Sequence, residues 1–159
     1  MGKRSVKKDK NVYQISREEA GLTREKASEE MIFMSDDRIE KIESEKSAPH
    51  PDEILAMAQC YKKPVLANYY CSHECPIGHR YVPEIESKPL SQIVLEMLAY
   101  LHSLEEEKNR LISISLDGKI NDFEKADFLV IREKLRKVSV SISSLELWVE
   151  EQISKGLLE

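Results

Sequence analysis

The sequence predicts an all-α protein in two parts: five short helices, then a long antiparallel helical hairpin. Three observations carry that prediction. Apolar residues recur three and four apart through most of the chain, and nowhere alternate as a strand requires. Glycine is scarce, 5 in 159 residues, too few for a fold rich in tight β-turns. Two long helical patterns flank "LDGKIND", which reads as a turn between helices. The balance of 41% hydrophobic and 33% charged residues fits a folded, helix-rich chain.

The expected helices follow in order. Val12 to Ala20 forms the first, with Gly21 as its C-cap. Thr23 caps the second, which turns Ala27 and Met31 inward. "IFM" leads to Ser35, the cap of a third helix with Ile39 and Ile42 on one face, broken by "SEKSAPHP". Pro51 suits the first turn of a fourth helix, whose buried stripe is Ile54, Leu55 and Ala58. Pro64 opens a fifth, offering Val65, Leu66 and Tyr69 to the core.

Residues 71–89, "CSHECPIGHRYVPEIESKP", hold three prolines and a glycine and read as a linker. Their Cys71, His73, Cys75 and His79 are spaced closely enough to consider zinc, with Cys60 as a further thiolate. The C-x3-C spacing departs from the usual C-x2-C knuckle and there is no second cysteine pair. A structural role is therefore expected, with no metal and no cofactor; the candidates to check are Cys60, Cys71, His73 and Cys75.

In the hairpin, 90–155, Leu90, Val94, Met97, Leu101, Leu104 and Leu111 keep a 4-3 spacing interrupted at Lys108. Phe128, Ile131, Leu135, Val138, Ile142, Leu145 and Val149 keep it over three heptads. Extra apolar positions, Ile93, Leu98, Ile112 and Trp148, widen the stripe beyond the needs of one hairpin. Two hairpins forming a four-helix bundle would bury it, so a homodimer through 90–155 is expected; packing on the chain's own first part is the alternative. Between the helices, Gly118 supplies a left-handed residue, Asp122 caps the next helix and Ile120 tucks under. "SISLDGKINDFE" also aligns with a calcium loop, but its first ligand position is Ser113 and it makes a poor site.

The segment "GLTREKASEEMIFMSDDRIEKIESEKSAPHPDEILAMAQCYKKP" resembles the lambda-repressor-like helix-turn-helix family, often called the XRE family. The likeness rests on Gly21, Leu22, Thr23, Ala27, Ser35, Ile39, Ile42, Glu43 and Pro49 in a spaced pattern. It implies a five-helix lambda-repressor-like DNA-binding domain over 12–70. The chain departs from the pattern at Glu45, where the family has the glycine that ends the third helix. A non-glycine residue in a left-handed cap costs about 1 kcal/mol, so a differently built corner is expected there.

The resemblance also implies a site. The third helix would lie in the major groove, with Ser35, Asp36, Asp37 and Arg38 at the base edges and Lys41 one turn on. Arg24 would stand at the N-terminus of the second helix, where free N–H groups favour a phosphate. Glu43 would bond to backbone or to a core cation rather than to DNA. Residues 35–43 carry four acids and two bases, which opposes a polyanion. Asp36 and Asp37 have a local purpose, since negative charge in a first helical turn is favourable by roughly 0.3–1 kcal/mol.

Charge and composition bound the function. The formal net charge is −5, with no global attraction to nucleic acid. Residues 1–10 nevertheless carry five bases against one acid, while 90–159 carry 9 bases and 13 acids. A basic arm over 1–11 either touches a polyanion or serves as a solubilising tail. No stretch is long and apolar enough to span a membrane, no apolar run follows the basic start as in a secretory signal, and Val6 spoils a Gly2 myristoylation motif. A cytoplasmic location is expected. No nucleophile elbow, P-loop or paired carboxylates point to an enzyme. The expected function is a DNA-binding transcriptional regulator whose partners are double-stranded DNA and a second copy of itself. The competing reading is a protein-interaction scaffold that has lost DNA contact.

Overall fold

The computed structural model describes residues 10–159, so the basic arm expected over 1–11 lies, except for Lys10 and Asn11, outside the described residues. Among the described residues the chain is all-helical, with no strand. The described residues divide into two compact units, one of 10–84 with 150–159 and one of 85–149.

The first unit begins with α1 (Val12–Glu19), α2 (Arg24–Met31), α3 (Asp36–Glu43), α4 (Pro51–Cys60) and α5 (Val65–Tyr69). Three N-caps are made by side chains. Asn11 accepts from the Gln14 amide, Thr23 from Lys26 and Ser35 from Arg38, each relieving a donor the helix leaves unpaired. Pro51 is the first residue of α4, where it loses no hydrogen bond. The core is Tyr13, Ala27, Met31, Met34, Ile39, Ile42, Ile54, Met57, Ala58, Tyr61 and Leu66. Ala27, Met31, Ile39 and Ile42 point inward as expected. On α4 the buried stripe is Ile54, Met57 and Ala58; Leu55, expected inside, is 56% exposed. Three- and four-residue steps from Ile54 reach Met57 and Ala58, leaving Leu55 a quarter turn away.

α1, α3 and α4 end alike. Gly21, Glu45 and Lys62 each take a positive φ, of 74°, 60° and 52°. Each is bracketed by the paired bonds of a Schellman motif; at α3 these are Glu45 N–H to Ile42 O and Lys46 N–H to Lys41 O. The departure from glycine at Glu45 was expected to change this corner. It does not: glutamate adopts the left-handed conformation and carries its strain.

The stretch expected as a linker, 71–89, is structured over its first half. Tyr70–Glu74 winds as a π-helical turn, and α6 (Gly78–Tyr81) follows. Gly78 is buried against the Cys71 backbone, and a Cβ there would lie 2.1 Å from the Cys71 carbonyl oxygen. Its glycine marks a close approach of two backbones, which composition alone renders as flexibility.

The second unit holds α7 (Leu90–Glu106), α8 (Lys108–Ser115) and most of α9 (Lys125–Ser154). Arg110 pairs with Asp127, Lys134 with Glu107 and the Ser103 carbonyl, and Lys137 lies over the Tyr100 ring. Rising numbers on one side meet falling numbers on the other, so α7 and α8 run antiparallel to α9. The break between α7 and α8 falls beside Lys108, as expected. The seam differs from the expected one. Ile131 and Val138 are buried, but Leu135 and Ile142 are exposed, and Ser141, Ser144 and Leu147 are buried in their stead. In the connecting turn Gly118 takes φ 67°. Ile120 is 41% exposed rather than tucked under. The cap of α9 is Asn121, which accepts from the Phe123 and Glu124 amides, and not Asp122, which instead pairs with Lys125.

Candidate functional site

The expected site is built on α2, α3 and the turn between them. That turn is unusual. Ile32 has φ 59° and ψ −51°, and the Phe33 amide donates to the Met31 carbonyl at 2.6 Å. This is a γ-turn of the rare positive-φ kind, here centred on a β-branched residue. Ser28 Oγ donates to the Met34 carbonyl at 2.7 Å and so fastens α2 to the start of α3. Met34 is buried, while Ile32 and Phe33 are 90% and 61% exposed.

Behind α3 lies a buried ion cluster. Glu43, whose side chain is fully buried, accepts from Arg17 Nη2 at 2.9 Å and Nε at 2.5 Å, and from Arg24 Nε at 2.7 Å. Arg17 also donates to the Leu22 carbonyl at 2.7 Å. The expectation that Glu43 meets a core cation is met by two arginines. Arg17 had not been singled out. The signal was present: it falls four residues after the buried Tyr13, so it is an arginine on the inward stripe of α1.

Arg38, expected at the base edges, is used elsewhere, and this corrects the reading of the site. Its Nε and Nη2 form a two-pronged pair with Glu53 at 2.6 and 2.7 Å, Nη1 donates to Ser47 Oγ, and Nη2 also reaches the Ala48 carbonyl. Four of its five N–H donors are thereby consumed. The arginine binds α3 to α4, and Glu53 completes the corner by accepting from the His50 amide at 2.7 Å. Hydrogen bonding from Arg38 holds the Glu53 carboxyl below its ordinary pKa, and Glu53 in turn raises that of Arg38.

Ser35, Asp36, Asp37 and Lys41 are exposed. Asp36 accepts from the Asp37 amide at 2.9 Å, and Lys46 pairs with Glu40 at 3.0 Å. Arg38 and Lys46 are thus both paired with carboxylates. Arg24, at the N-terminus of α2, keeps 35% of its side chain exposed.

The cysteine and histidine candidates do not converge. The Cys60 thiol donates to Glu30 at 3.3 Å, and burial followed by that carboxylate pushes its pKa up to about 12. Cys75 Sγ accepts from the Gly78 amide at 3.4 Å. His73 stacks on Tyr69, with ring centroids 4.5 Å apart, and faces Glu84. Among the described residues no three His, Cys, Asp or Glu side chains could jointly hold a metal ion. At the proposed calcium loop, Asp117 accepts from the Lys119 amide and Glu124 from Asn121, so both carboxylates serve the turn.

Among the described residues no helix is long and apolar enough to cross a membrane. Comparison with protein-family models, with curated proteins and with solved structures found no match for this chain.

Proposed function

We propose that the chain is a cytoplasmic, sequence-specific DNA-binding transcriptional regulator of the lambda-repressor-like class, dimeric through 90–155. One observation supports this above the rest. α3 buries Ile39, Ile42 and Glu43 and leaves Ser35, Asp36 and Asp37 exposed at its N-terminal end and Lys41 exposed in its last turn, on a helix that follows α2 across a short turn. That is the presentation a groove-reading helix needs. Aspartate can accept from cytosine N4, so the acidic tip reads bases while it weakens contact with phosphates. Affinity then has to come from elsewhere: Arg24, the basic residues of 1–10, and the doubling of sites in a dimer.

Dimerisation is supported by apolar side chains left exposed on the second unit. Leu95, Leu98 and Leu101 on α7, and Leu135 and Ile142 on α9, are 41–69% exposed. They fall three and seven residues apart, the spacing of a helical stripe.

The test is selection from a random duplex library, followed by binding across salt concentrations. A recurrent sequence with a negative dependence of affinity on salt is expected, reduced by Arg24→Glu and Lys41→Glu. Affinity indifferent to salt and to both reversals ends the DNA reading. In that case a second reading is favoured by Ile32 and Phe33, which are apolar, exposed and close in sequence to Asp36 and Asp37. An apolar and acidic surface suits a basic protein partner, and Phe33→Ser would then abolish its capture.

A further inference from the structure

We propose that a cavity of about 280 Å3 in the first unit, at the meeting of α1, the end of α3, α5 and the π-helical turn, binds a small organic cation bearing an alkylammonium or guanidinium group. Its walls include Tyr13, Tyr69, Asn11, Pro49, Glu45 and Glu74, and among the described residues no lysine, arginine or histidine lines it.

The arrangement selects for positive charge. Tyr13 is buried, and its hydroxyl donates to Glu74 Oε1 at 2.8 Å. That bond fixes the carboxylate at the wall and leaves its remaining lone pairs to accept from a ligand. Tyr69 lies edge-on to Tyr13, with centroids 6.1 Å apart, and stacks on His73, so its ring is held in place. The Tyr69 hydroxyl is pushed above its ordinary pKa, by burial first and then by the charges of Glu74, Glu45 and Glu84. Three carboxylates thus act on the ring. Glu45 sits at φ 60°, where glycine would avoid the strain, and places a second carboxylate on the wall. Carboxylates and aromatic rings together recognise ammonium and guanidinium groups by charge-assisted hydrogen bonds and cation–π attraction. An anion would be repelled by the two carboxylates, and an apolar ligand would strand the acceptors. A space of this size suits a small molecule.

The test is titration of the full chain with putrescine and with agmatine, followed by calorimetry or amide chemical shifts. 1,4-Butanediol serves as a neutral match for putrescine. Saturable binding of one diamine or of agmatine per chain is expected, with the diol at least about tenfold weaker. Glu74→Gln and Glu45→Gln should each weaken binding by about tenfold. The Glu45 side chain makes no hydrogen bond among the described residues, so E45Q keeps the fold even where E74Q disturbs Tyr13; a thermal melt checks both. The double variant Glu29→Gln/Glu146→Gln removes two charges elsewhere, twice what either single variant removes, and should bind as the parent does. Four outcomes overturn the proposal: no saturation in the millimolar range, equal binding of the diol, unchanged affinity in E45Q with its fold intact, or a control that weakens as much. These measurements read the cavity alone and do not depend on contact with nucleic acid.

Discussion

Replacing Glu43 by glutamine probes the ion cluster that holds α3 in place. The change keeps the side chain's shape and removes its charge. Glu43 is fully buried and the Arg17 side chain is 7% exposed, so Arg17 would be left as a buried charge without its counter-ion. Breaking a buried pair by losing one partner costs about 3–5 kcal/mol. Arg24 adds little, because its side chain is 35% exposed and water can replace the partner; exposed pairs are worth roughly 0–1 kcal/mol. With a urea dependence of about 1–3 kcal/mol/M, E43Q should lower the midpoint by about 2 M. Arg24→Gln should move it by less than half that. The double variant Glu43→Met/Arg17→Met should recover most of the loss, since replacing both partners by apolar groups is often neutral or stabilising. The assay is urea unfolding followed by far-UV circular dichroism. A loss below about 1 kcal/mol in E43Q, or no recovery in the double variant, would refute the claim that burial makes this cluster costly to break.

Other expectations rest on separate features. Ile32 pays for its positive φ and, at 90% exposed, gains nothing from burial; Ile32→Gly should raise stability by about 1 kcal/mol in the same assay. Among the described residues the Tyr61 hydroxyl is buried with no hydrogen-bond partner, so Tyr61→Phe should stabilise by roughly 1 kcal/mol or more, and a clear loss would refute that reading. Gly78→Ala should destabilise, because the new Cβ would lie 2.1 Å from a backbone oxygen that cannot easily retreat. Glu53 has a lowered pKa, chiefly through its bonds from Arg38. The folded state thus binds its proton more weakly than the unfolded state. The stabilisation is present above the ordinary value of 4.5 and is lost as pH falls through the lower folded value. An acid titration should therefore show a shallower loss of stability below that point in Glu53→Gln than in the parent.

The local elements could be read from residue chemistry because their causes are local. Asn11, Thr23 and Ser35 cap the helices that follow them through bonds three residues long, and Pro51 starts α4 for a reason contained in its own ring. Ala27, Met31, Ile39 and Ile42 face inward because helical spacing puts them there. The exposure of Asp36, Asp37 and Lys41 follows from the same periodicity. Legibility stopped where a side chain could choose among distant partners. Arg38 looks like a groove contact by position, yet Glu53, fifteen residues on, the Ser47 hydroxyl and the Ala48 carbonyl claim its guanidinium. Gly78 looks like linker until Cys71 closes on it, and the carboxylates of Glu45 and Glu74 share one cavity only once α3 and the π turn meet.

The chain's order of residues thus determined that it would be helical, where its helices begin, which faces are apolar and where an acidic tip would be displayed. All of these depend on hydrogen bonds and periodicities that span a few residues. Tertiary structure alone decided which charges remain available, because an ion pair or a buried hydroxyl is set by neighbours that only folding brings within 3 Å or so. It also decided which of several apolar positions becomes core: α9 buries Ser141 and Ser144 and exposes Leu135 and Ile142. Hydrophobicity ranks candidates for burial, but the partner surface selects among them.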